Sequence, residues 1–199
     1  MTDIKTASWF TKMPEGHVKV GISRGIPRTV AAGYRVYRTL APGPWFHSVT
    51  PEEYDRLYKV DVLDRLDPRV VATQLIDLAR GGIPVMVCYE RPMVQGDWCH
   101  RAMAALWLAE ALDRPIPELG FEVLAQADHP LMPPELKRPT KAGEVPDLAR
   151  FVGRSATIDG EAHQVIAVDP NDPRRAIVKA GNRSFPAGID TLTRHFKPV

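Results

Sequence analysis

Hydrophobic and polar positions fall into two regimes along the chain. Up to about residue 112, short apolar runs alternate with stretches of helical period. Residues 17–22 (HVKVGI) alternate, with Val18, Val20 and Ile22 as the apolar set, and predict a strand. Residues 83–87 (IPVMV), just after Gly81-Gly82, are continuously apolar and suit a strand buried on both faces. Thr50-Pro51-Glu52-Glu53 carries a cap, an N1 proline and the last residue of a capping box, predicting a helix to about Leu63. Asp67-Pro68 repeats that signal ahead of a helix with Val70, Val71, Leu75 and Leu78 on one face. Residues 102–112, rich in Ala, Leu, Met and Trp, predict a third helix. This order implies an α/β domain with a small, largely parallel sheet flanked by helices. Right-handed crossovers put its two strands side by side or near neighbours, so that their C-terminal loops share an edge. Residues 1–16 are expected to be a loose lead-in and 34–44 to stay irregular, broken by Pro42, Gly43 and Pro44. Trp45 and Phe46 read as core anchors, and 122–125 as a short strand.

Beyond this the pattern changes. Five prolines between His129 and Pro146 mark a linker, bounded as 127–150 between an α/β domain at 1–126 and a module at 151–199. In that module, residues 155–158 and 162–168 flank Asp159-Gly160, a strong hairpin signal. A second turn at 169–173, β-rich runs at 176–179 and 184–186, and a short terminal helix complete a small all-β, barrel-like reading, with five strands expected.

Composition adds little to this picture, and the distribution of charge adds more. The net charge of the 199 residues is only +2. Yet no acidic residue lies between Glu15 and Glu52, where Lys19, Arg24, Arg28, Arg35 and Arg38 fall. That stretch is either a solvated basic face or an anion-binding surface. Two cysteines make no disulfide framework, so free thiols in a reducing cytoplasm are expected. No apolar run reaches membrane-spanning length, and MTDIKTASWF lacks the design of a secretory signal, so no membrane partner is expected.

The candidate chemistry gathers where the second strand runs into the third helix. Cys88, Glu90, Asp97, Cys99, His100 and Arg101 lie there, and the Ser23, Arg24 and Arg28 loop is expected to face them. GISRGIPR, LAPGPWF, LDP, VCYE (87–90) and DWCHR (97–101), in that order, resemble the domain of unknown function 488 family, in its branch with a Trp-Cys-His-Arg signature. The likeness covers roughly residues 17–125. It implies a bacterial cytoplasmic α/β domain and transfers no established reaction or cofactor.

Four chemistries compete for these residues. Cys99 in the first turn of a helix, with His100 or Arg101 beside it, suits a reactive thiolate. Cys88 and Arg101 hold the topological places of a cysteine phosphatase, but twelve residues intervene where such loops have about five. Both thiols can equally be inert core groups. A zinc site from Cys88, Cys99 and His100 with Glu90 or Asp97 is set aside, because consecutive helical side chains diverge by ~100°; no metal ligand is assigned. A third reading gathers Arg24, Arg28 and Arg101 into an anion pocket, with Glu90, Asp97 or His100 as acid–base group, for a phosphorylated or nucleotide-like ligand. Its counterpart is an Arg101–Glu90 ion pair of purely structural role. The last is a non-catalytic nucleic-acid binder using the basic stretch with Tyr34, Tyr37, Trp45 and Phe46.

Overall fold

The computed structural model describes residues 3–94, 97–133 and 147–197, which form two compact units. The first takes the described residues up to Glu122 together with 129–133, and the second takes 123–128 and 147–197.

The first unit is built on a four-stranded parallel sheet of β1 (Lys5–Ser8), β2 (His17–Gly21), β3 (Arg35–Val36) and β4 (Ile83–Cys88), in the order β1-β4-β2-β3. Of the two arrangements expected, side by side or near neighbours, the first holds: β2 and β4 pair directly, Val20 opposite Met86 and Gly21 opposite Val87. The lead-in is not loose. Lys5–Ser8 forms the edge strand beside β4, with Thr6, Ala7, Ser8 and Trp9 all buried. Its letters, Lys-Thr-Ala-Ser, carry no apolar period, and burial comes from the neighbouring strand rather than from its own hydrophobicity. Residues 34–44 are mostly irregular, as expected, apart from the two-residue β3 and a 3₁₀ turn at Arg38–Leu40.

Three helices cover the sheet. In α1 (Pro51–Asp61), Thr50 accepts the Glu53 amide as cap, while the Glu53 carboxylate turns to Arg56 instead of closing the capping box. In α2 (Pro68–Ala79), Asp67 Oδ1 accepts the Arg69 and Val70 amides at 2.8 and 3.3 Å. Asp67→Ala is accordingly expected to cost about 1 kcal/mol in urea unfolding. In α3 (His100–Leu112) every side chain from His100 to Ala105 is buried, so the helix enters the core end-first beside Cys88. Leu40, Tyr58, Leu75, Met86 and Leu108 are fully enclosed in the core beneath.

The second unit is an antiparallel meander of β5 (Ser155–Ile158), β6 (Glu161–Val168), β7 (Arg175–Ala180) and β8 (Arg183–Gly188), followed by α4 (Ile189–His195). Asp159 and Gly160 both take positive φ, 50° and 81°, the turn that the Asp-Gly pair predicts. The five-stranded barrel is corrected: among the described residues four strands pair in sequence order, and β5 and β8 remain its edges. Residues 122–125 form no strand, because they turn and the Ala125 amide is taken by the Thr191 hydroxyl. Much of the Pro-rich stretch, 134–146, lies outside the described residues. Its leading end is packed rather than linker-like, with His129, Leu131 and Met132 buried in the first unit.

Candidate functional site

Because β2 and β4 are parallel neighbours, the chain leaves both at the same edge of the sheet. The Ile22 amide still bonds the Val87 carbonyl, which holds the two exits together. Past that point the backbones part around a cavity of about 550 Å³. Ser23, Arg24 and Gly25 line it from the β2 side, Cys88, Tyr89 and Glu90 from the β4 side, and Trp98, Cys99 and His100 from the start of α3. Phe46, His47 and Tyr54 close it with aromatic surface.

At its floor lies a cluster that an unbroken helical periodicity would forbid. Cys99 is not inside the helix but is its N-cap, with extended φ −152° and ψ 141°, and its amide bonds the Leu131 carbonyl. The ~100° step between successive helical side chains therefore does not separate it from His100. Cys88 Sγ and Cys99 Sγ stand 3.9 and 3.8 Å from His100 Nδ1, and all three ligand atoms lie within 4.8 Å of one another. His100 Nε2 sits 3.2 Å from the Ile22 carbonyl. A carbonyl only accepts, so Nε2 carries a proton; burial opposes the charged imidazole, but the charge on Cys99, the hydrogen bond with it and the Ile22 carbonyl outweigh burial and hold His100 above its usual range, with Nδ1 facing the two sulfurs.

Glu90 lies beside the thiols, and its buried Oε2 has no hydrogen-bond partner among the described residues. Burial, then the charge on Cys99, pushes its carboxyl up to about 7. Burial opposes ionisation of Cys99 as well, but the Cys88 S–H, the His100 imidazole and Arg101 outweigh it and hold that thiol well below the usual range. Cys88 is pushed up, first by its hydrogen bond to Cys99 and then by burial. Several acids thus share one buried pocket, and ionising one raises the others.

Other expected site residues are placed elsewhere. Arg101 does not reach the cavity. It is fully buried and bidentate on Glu118, at 3.0 and 2.8 Å, and donates a third bond to the Glu90 carbonyl. It is an internal ion pair, but with Glu118 rather than the Glu90 carboxylate. Asp97 and Arg28 are exposed and line no part of this cavity. Ser23 lines it, yet its hydroxyl accepts Trp9 Nε1–H and donates to the Gly25 carbonyl, which makes it a positioning residue for the Arg24 loop. Sequence reasoning missed Tyr54, Tyr89, Trp98 and His47 as walls, and Glu118 with His129 as the group that holds Arg101. An arginine followed by Ala-Met-Ala-Ala at the start of an apolar helix was a usable signal, since a buried guanidinium demands an acid.

Of the residues that suggested nucleic acid, Tyr37 is buried and donates its hydroxyl to Gln74. Trp45 bonds Asp61 and packs edge-on against Tyr54 as a core anchor. Phe46 packs on the core and also faces the cavity. Among the described residues no helix is long and apolar enough to cross a membrane. Comparison of the chain with protein-family models, curated proteins and solved structures finds no match.

Proposed function

We propose that this cavity is the active site of an enzyme acting on a phosphorylated or nucleotide-like ligand. The observation that carries the reading is convergence: Arg24, Glu90, His100 and both thiols, from three separate chain segments, line one concave space of ligand size. Arg24 sits at the rim with its guanidinium carbon 5.6 Å from the Phe46 ring centre, and one N–H goes to the Pro42 carbonyl. That leaves the rest of its donor fork for an anionic group. Trp98, Tyr54 and Phe46 offer aromatic surface to a planar one. Glu90, a carboxyl raised to about 7 with an unsatisfied oxygen, stands where an acid–base group is needed. With Arg28 outside the cavity and Arg101 committed to Glu118, Arg24 is the anion anchor of this reading.

Calorimetric titration with nucleoside 5′-monophosphates, the parent nucleosides and inorganic phosphate tests it. Nucleotides are expected to bind, nucleosides to bind more weakly, and Arg24→Ala to lose about tenfold or more in nucleotide affinity. A panel in which nothing binds, or in which Arg24→Ala binds like the parent protein, would sink the reading.

A further inference from the structure

We infer that Cys88, Cys99 and His100 bind a divalent transition metal, zinc by ligand chemistry, at the floor of the cavity. Soft thiolates with one imidazole suit zinc or its cobalt substitute far better than magnesium or calcium. The distances agree. With Zn–S near 2.3 Å and Zn–N near 2.0–2.1 Å, a tetrahedral ion needs S···N separations of about 3.5 Å. The observed 3.8 and 3.9 Å close to that with shifts of a few tenths of an ångström. The outer contact is also of the kind a metal-bound histidine makes: Nε2–H donates to a fixed backbone carbonyl, Ile22, and leaves Nδ1 as donor to the ion.

Three protein ligands leave a fourth position, and all three ligands line the cavity, so that position opens toward a ligand or water rather than toward the core. Glu90 has a buried oxygen without a hydrogen-bond partner among the described residues beside the sulfurs, placed to complete the shell. The inference rests on reading the cavity as an active site and names the centre that would do its work.

The test is elemental analysis of the purified chain, before and after stripping with a chelator and reloading with zinc, together with the optical spectrum after cobalt loading. Binding of a single ion per chain is expected, with thiolate-to-cobalt charge transfer and tetrahedral d–d bands in the parent protein. Cys99→Ser and His100→Ala should each lose the ion while keeping the parent tryptophan emission. Should a variant fail to fold, protection carries the test: zinc should slow alkylation of Cys88 and Cys99 in the parent chain by about tenfold or more. The inference is overturned if the zinc-reloaded parent holds no stoichiometric metal and its thiols alkylate equally fast with and without zinc. Nucleotide titration of the same samples reports separately on the ligand reading, since nucleotides can bind a metal-free chain and metal can bind one that takes no nucleotide.

Discussion

Glu118→Gln is expected to destabilise the first unit by about 3–5 kcal/mol, because it leaves the Arg101 guanidinium buried without its counter-charge. Glu118 is the hub of a closed network. Its two oxygens take both ends of the Arg101 fork, and Oε2 also accepts the Thr6 hydroxyl at 2.7 Å. His129 Nδ1 accepts the Leu131 amide, so its Nε2–H donates to Thr6. Burial by itself would raise the Glu118 carboxyl, but Arg101 and then His129, whose Nε2 lies 3.5 Å from Oε2, outweigh it and bring it to about 2, against an ordinary 4.5. A depressed carboxyl stabilises above its unfolded value and loses that contribution as pH falls from about 4.5 toward 2, here on the order of 3 kcal/mol. Urea unfolding followed by tryptophan emission reports this unit alone, since Trp9, Trp45, Trp98 and Trp107 all belong to it. Parent and variant curves should therefore converge as pH is lowered through that window. Parallel pH dependences would show that Glu118 is not the linked group. The double change Arg101→Met with Glu118→Met should recover part of the loss, because no unpaired charge then stays buried.

This network shows where the sequence was silent and why. β2, β4, α1 and α2 were legible because each carries its own pattern: alternation, a buried apolar run, or a cap followed by proline. The shared edge was legible too, since two parallel strands with right-handed crossovers allow few arrangements. Lys5–Ser8 was not, because a short edge strand is set by the neighbour it pairs with. Glu118, 17 positions after Arg101, meets it through the fold, and His129, 11 positions further on, meets Glu118; no local period links them. Cys99 and His100 are the instructive case. A helical spacing rule argued that they diverge, but the rule holds only inside the helix, and Cys99 stands one residue outside it. Capping residues break the periodicity on which pattern arguments depend, and a helix start is where α/β folds collect chemistry.

Gly21→Ala is expected to cost about 3 kcal/mol or more and to weaken the ligand site at the same time. Gly21 closes β2, and a methyl group added there would collide with the Trp9 ring, which is 1% exposed and has no room to retreat. The collision concerns the site because Trp9 is tied to it. Its Nε1–H donates to Ser23 at 2.9 Å, and Ser23 in turn donates to the Gly25 carbonyl at 2.7 Å, which fixes the turn that presents Arg24. Moving the indole either breaks that bond or drags the loop with it. Arg24 would then leave its place over Phe46, and nucleotide affinity should fall even at temperatures where the variant is folded. Trp9→Phe separates the two effects: it keeps most of the packing, drops the bond to Ser23, and should lower affinity with a smaller loss of stability. Combined as Gly21→Ala with Trp9→Leu, the smaller side chain makes room for the methyl, so stability should rise above that of Gly21→Ala while affinity stays low. If Gly21→Ala unfolds within about 0.5 kcal/mol of the parent chain, the steric coupling between β2 and Trp9 is wrong. If it is destabilised but binds nucleotide as before, the Trp9–Ser23 bond does not position Arg24.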